Sequence, residues 1–141
     1  MKIQVRNLQN LKKVNLSKLK IQIKKILRLL RREHNTVYIV LVDNATIKEL
    51  NKLFLRKSYP TDVLAFPLDD KYSQDLLGEV IVSVEQAGRN SRRYRTSWEK
   101  ELVLCVIHGI LHLVGYDDNN ATQRAKMQRK EKDLLKVFFP S

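Results

Sequence analysis

The segment from Glu101 to Val114 constrains the fold most. It reads Leu102, Val103, Leu104, Cys105, Val106, Ile107, then His108 and Gly109, then Ile110, Leu111, His112, Leu113 and Val114. A helix of this composition is apolar nearly all round, so it belongs at the buried centre of a domain rather than on its surface. Two histidines are embedded in it. A buried imidazole needs partners for its ring nitrogens, or a metal, because an unsatisfied buried polar group costs roughly 1–3 kcal/mol. Four residues apart on a helix, His108 and His112 stand about 40° apart in azimuth and roughly 6 Å apart along the axis, which lets both reach one divalent ion. Gly115 then breaks the helix and can take a positive φ, so the chain can turn back and present a third ligand. Asp118 is placed either to be that ligand or to cap the next helix. On the residues alone, a metal site and a pair of satisfied core histidines are both open.

The chain has 141 residues, expected to form a single domain over 1–141 with a proper core. Its 27 Lys and Arg against 15 Asp and Glu leave a net charge of +12, which suits a polyanionic partner such as nucleic acid better than a small neutral substrate. A solvated basic surface is the plainer explanation of the same excess. One cysteine excludes an internal disulfide and fits a reducing cytosol. No apolar run reaches the roughly 18–20 residues that span a bilayer, and the N-terminus lacks a signal-like apolar stretch. The expectation is a cytoplasmic protein with no membrane partner.

Along the chain, Lys2 to Val5 reads as a short strand, and residues 16–33 as a helix with Leu16, Leu19, Ile23, Ile26, Leu27 and Leu30 at three- and four-residue steps. Lysines and arginines fill the rest of that helix's arc, a face open to phosphates, to a membrane or simply to water. Val37 to Val42 reads as a strand, followed by a helix to about Leu55 capped by Asn44 or Thr46. Val63 to Phe66 forms a short strand closed by Pro67, and Asp69 to Asp75 a polar turn. Leu76 to Val84 is another strand, then Glu85 to Tyr94 a helix carrying Arg89, Arg92 and Arg93, with Arg95 just beyond. Ser97 or Thr96 caps the central helix. Asp118 or Asn119 starts a last helix to about Val137, with Ala121, Met127, Leu134, Leu135 and Phe138 on its apolar side. Strands and helices in mixed order with short connections indicate an α+β or α/β layer built on one sheet.

Two separated blocks resemble the YbeY family of endoribonucleases, also called rRNA maturation factors. The family signature H-G-x-L-H-L-x-G-Y-D-H is matched by His108-Gly-Ile-Leu-His-Leu-Val-Gly-Tyr-Asp-Asp118. An upstream block resembling N-x-x-[YF]-x-x-x-x-x-P-T-D-V-L-S-F-P is met by Asn51, Phe54 and Pro60-Thr-Asp-Val-Leu-Ala-Phe-Pro67, with Arg56 inside it. Leu77-Gly-Glu-Val-Ile is similar to the family's L-G-D-I-x-I strand, and Met127 and Glu131 fall on its M-x-x-x-E. The similarity spans roughly residues 40–135.

The resemblance implies an α+β fold with one small, mixed but mostly parallel sheet flanked by helices, the metal lying at the end of the buried central helix. It implies a metal-dependent, single-strand-specific endoribonuclease acting in 16S rRNA 3′-end maturation and ribosome quality control. Ribosomal RNA and the small ribosomal subunit are the implied partners. One zinc ion per chain would be held by His108, His112 and Asp118, with Arg56 as the catalytic cation. The family's third ligand is histidine where this chain has Asp118. Aspartate oxygen binds zinc at about 2.0–2.2 Å, so the set is chemically sound, but a harder ligand also admits Mn²⁺ or Mg²⁺. Ala65 replaces the family's usual serine. If Asp118 does not ligate, the alternative is a non-catalytic RNA- or ribosome-binding factor with a degraded metal site.

Two further expectations come from chemistry. Asp62 and Asp117 are expected to orient the metal-ligating groups, as carboxylates often fix a ligating imidazole's tautomer. Cys105 is expected to be a small core residue. A zinc peptidase of the H-E-x-x-H kind would need glutamate where Gly109 stands, which argues against peptide hydrolysis.

Overall fold

The computed structural model describes residues 3–55, 61–67 and 75–140. Its elements, in chain order, are β1 (Ile3–Asn7), α1 (Leu16–Leu29), β2 (Thr36–Val42), α2 (Asn44–Leu55), β3 (Val63–Pro67), β4 (Leu76–Ser83), α3 (Val84–Tyr94), α4 (Trp98–Leu113) and α5 (Ala121–Phe138). The four strands form one sheet in the order β1-β2-β4-β3. β1, β2 and β4 run parallel, while β3 pairs antiparallel with β4. The fold is therefore α+β on a mixed, mostly parallel sheet, as the resemblance implies.

The near-continuous apolar run of β2 follows from burial on both faces of the sheet. Val37, Ile39 and Leu41 join Val80 and Val82 of β4 in the larger core, with α1, α4 and α5. Val40 and Val42 point the other way and meet Ile47 of α2, Leu64 and Ile81. α4 lies inside the larger core, with Leu102, Val103, Val106, Ile107, Ile110 and Leu111 all buried. Gly109 lets it approach the sheet: a Cβ there would stand 2.3 Å from Val80 Cγ1.

Several boundaries differ from those read in the sequence. α1 stops at Leu29, four residues early, because Arg31 takes a left-handed φ of 59°. α2 is capped by Asp43, whose Oδ1 accepts the Thr46 amide at 2.8 Å, rather than by Asn44 or Thr46. That bond holds the Asp43 carboxyl below its usual value. Asn44 is instead buried, donating its backbone N–H to Glu85 and accepting the Ser83 hydroxyl. α5 is capped by Asn120, which accepts the Gln123 amide at 2.8 Å, so neither Asp118 nor Asn119 is its cap. Ala121 is exposed, leaving Met127 and Leu134 as the buried residues of α5. Ser97 caps α4 as expected, accepting the Lys100 amide.

Candidate metal centre

His108 and His112 occupy the last turns of α4, and the way α4 ends brings Asp118 to them. Gly115 has a φ of 105°, a backbone conformation that favours glycine. Its N–H donates to His112 O at 3.2 Å and the Tyr116 N–H to Leu111 O at 2.9 Å. Together these bonds make a Schellman motif, which satisfies the final carbonyls and reverses the chain. The reversed loop carries Asp117 and Asp118 back over the histidines.

His112 Nε2 lies 3.2 Å from His108 Nε2. Asp118 Oδ2 is 3.8 Å from the first and 4.0 Å from the second. A point equidistant from these three atoms lies about 2.1 Å from each, within the range of zinc–nitrogen and zinc–oxygen bonds. The rings are near perpendicular, with centroids 4.7 Å apart, so they meet edge to face and do not stack. Among the described residues these three form a group that could hold a metal ion.

The other nitrogen of His108 is engaged. Nδ1 lies 2.8 Å from Glu131 Oε1 on α5, a side chain only 14% exposed. A carboxylate only accepts, so the ring proton sits on Nδ1 and the Nε2 lone pair faces His112 and Asp118. This is the tautomer a metal ligand requires, and such pairing raises the ring's basicity. Burial disfavours the charged ring, but the Glu131 hydrogen bond and charge, with smaller help from Asp62 and Asp118, outweigh it and raise the His108 pKa above its ordinary 6.5. Donor type, spacing and tautomer all fit a divalent ion.

Glu131 thus does what Asp62 and Asp117 were expected to do. Asp62 instead accepts the Cys105 thiol, with Sγ 3.8 Å from Oδ2, and Asp117 accepts the Asp118 amide at 3.2 Å. Glu131 lies 23 residues from His108, and no local spacing reveals the pair; its place in the M-x-x-x-E block was the one available signal. Cys105 is buried, and burial, then the charges of Asp62 and Glu101, push its thiol well above the usual range. It is a neutral core residue.

The donors open into a cleft of about 640 Å³, walled on one side by β3 and on the other by residues 115–118. Asp62, Asp117 and Asp118 line it, and no lysine or arginine does among the described residues. Arg56 lies outside the described residues. Arg89, Arg92, Arg93 and Arg95 are exposed along and just beyond α3, Arg89 within 3.5 Å of Glu85. Gly109, where a peptidase would carry its glutamate, has no room for any side chain.

Residues 4–138 match the family model described as Endoribonuclease YbeY. This chain belongs to that endoribonuclease family. Among its YbeY relatives, one from Syntrophus aciditrophicus is 34% identical over 141 residues, covering 96% of this chain and 88% of the relative. Another, from Phytoplasma australiense, is 35% identical over 140 residues, covering 96% and 94%. A solution structure from Thermotoga maritima, 33% identical, is similar with a TM-score of 0.68 over 96% of this chain and 87% of that one. Membership in the YbeY family makes the chain a nuclease of the hydrolase class. Among the described residues no helix is long and apolar enough to cross a membrane.

Proposed function

We propose that the chain is a metal-dependent, single-strand-specific endoribonuclease of the cytoplasm, acting on ribosomal RNA of the small subunit in 16S 3′-end maturation and ribosome quality control. One zinc ion, or Mn²⁺ or Mg²⁺ in its place, is held by His108, His112 and Asp118. The observation that carries the reading is the convergence of three donor atoms on one point, with the His108 tautomer set by Glu131. The net charge of +12 supports a polyanionic substrate, and the lone buried thiol suits a reducing compartment.

An ion bound there supplies Lewis acidity toward a phosphoryl oxygen and lowers the pKa of a water toward neutrality. The chain's own residues do the rest. Glu131 keeps the proton on His108 Nδ1 and so keeps Nε2 free to ligate. The Schellman turn brings Asp118 beside the imidazoles, where its carboxylate faces the same point as the two Nε2 atoms. Arg56, adjacent in sequence to the Pro-Thr-Asp block, supplies a forked cation for the charge that develops on the phosphorus oxygens. The net charge of +12 draws a polyanionic strand to the protein, while the described lining of the cleft itself is acidic.

The test is elemental analysis with RNA cleavage on one preparation. Near one metal per chain, and cleavage lost both on chelation and in His112→Ala, are the expected results. Metal-free protein that cuts single-stranded RNA at the same rate would overturn the proposal. Metal-free protein that binds ribosomes without cutting RNA would favour a binding factor instead.

A further inference from the structure

The cleft wall contributed by β3 is, among the described residues, an edge of the sheet. Its hydrogen-bonding parity follows from two independent facts. The Ser83 N–H donates to Asp62 O at 2.9 Å, and the register pairs Val63 with Val82 and Ala65 with Val80. Antiparallel pairs alternate between bonded and non-bonded, so Leu64 and Phe66 bond to β4 while Val63, Ala65 and Pro67 turn their backbone groups outward. Pro67, which has no N–H to give, falls on the outward parity as sheet edges require. Among the described residues no strand pairs with β3 on that side. Val63 and Ala65 line the same cleft as His108, His112 and Asp118.

We propose that this edge is the docking rail for the RNA strand being cut, with the outward N–H groups of Val63 and Ala65 donating to its phosphate oxygens. The inference rests on the endoribonuclease reading above. Two residues along a strand advance about 6.8 Å, of the order of the separation between successive phosphates in an extended nucleic-acid strand. The cleft needs such donors. Its described lining offers three aspartates and no lysine or arginine, so among the described residues neutral main-chain donors are the groups of β3 suited to phosphate oxygens, beside the ion and the cation proposed at Arg56. Main-chain N–H groups are common phosphate contacts and carry no sequence preference. An extended peptide is the other ligand that a strand edge takes, but the net charge of +12 and the family favour RNA.

Ala65→Pro removes one outward N–H and no bond to β4, and its predecessor Leu64 is already extended, as a residue before proline prefers. Loss of a hydrogen bond to a charged acceptor should raise the dissociation constant for short single-stranded RNA about tenfold, which corresponds to about 1.4 kcal/mol, with zinc content unchanged. A folded, zinc-loaded variant with the parent's RNA affinity would overturn the proposal. A second measurement needs no variant. Amide resonances of Val63 and Ala65 in the zinc-loaded parent should shift on titration with single-stranded RNA, and cleavage products keep the same phosphates. If they stay fixed at saturation, or move only with an extended peptide, the rail is wrong. A parent that cuts RNA while these amides stay fixed sinks this inference alone, whereas a parent that holds no metal and cuts nothing sinks the reading beneath it.

Discussion

His108 stands between two carboxylates that differ in every physical respect. Glu131 comes from the interior of a helix, is 14% exposed and sits 2.8 Å from Nδ1. Asp118 comes from a loop, is 46% exposed and sits 4.0 Å from Nε2. The first is fixed by the packing of α5 through Met127 and Leu134 against the core; the second is placed by a helix stop and by exposed hydrogen bonds of its backbone to the Asp117 and Arg124 side chains. The difference separates two tasks. Orienting a ligand needs a rigid, buried partner whose geometry does not change, whereas closing on an ion needs an arm that can move a short way.

The largest effect is expected from the movable arm. Asp118→Ala removes one of three protein ligands, and zinc affinity should fall by more than the roughly 10–100-fold typical of losing a partner behind the ligands. Calorimetric titration with zinc decides this, and an unchanged dissociation constant would mean that Asp118 is not a ligand. Asp118→His restores the family's third imidazole and should shift preference toward zinc over Mn²⁺, because nitrogen is the softer donor. If the ratio of the two affinities is the same in parent and variant, residue 118 does not contact the ion.

Glu131→Gln should have the next largest effect. The amide can still accept from Nδ1 but carries no charge, so zinc affinity should drop about tenfold, at the low end of such effects, with the fold intact. Glu131→Ala should lose more, and the order Ala below Gln below parent separates orientation from charge. Equal losses in the two variants would show that charge alone matters.

How far these roles were legible in the sequence depends on the range of the interaction. α4 and its two histidines were legible because helix periodicity, apolar composition and a four-residue spacing are local, and the mixed, mostly parallel sheet came with the family resemblance. Glu131 was not, because its contact with His108 joins α4 to α5 across 23 residues and depends on how the two helices pack. Caps misled for a different reason. Around Asp43-Asn44 and Asp117-Asp118-Asn119-Asn120 several adjacent residues are all good caps. Which one serves is decided by where the backbone enters the helix, and at Asn44 by the pull of the buried Ser83 hydroxyl. Arg56 lies outside the described residues, so its role stands on its place in the sequence block.

A smaller effect tests the cap directly. Asn120→Ala should lower stability by about 1 kcal/mol, the usual value for losing such a side chain, with zinc affinity unchanged. In the metal-free protein Asp118→Ala should change stability by less than about 0.5 kcal/mol, as an exposed residue without a cap role. Denaturant melts of the two variants measure both values. The reverse ranking would return Asp118 to the role of helix cap.

The smallest effect is a pH slope in the metal-free protein. The folded state raises the His108 pKa above 6.5, which means it binds that proton more tightly than the unfolded chain does. The resulting stabilisation is fully present below the ordinary histidine value and is lost as pH rises through the raised folded value. Metal-free protein should therefore lose melting temperature as pH rises from below 6.5 through the raised folded value, and Glu131→Gln should flatten the slope by removing the main favourable partner of the imidazolium. Zinc acts in the opposite sense, because only the neutral ring can ligate and its binding weakens as pH falls. A metal-free melting temperature that rises over this interval in the parent, and rises equally in Glu131→Gln, would mean that the 2.8 Å contact does not hold a charged pair in solution.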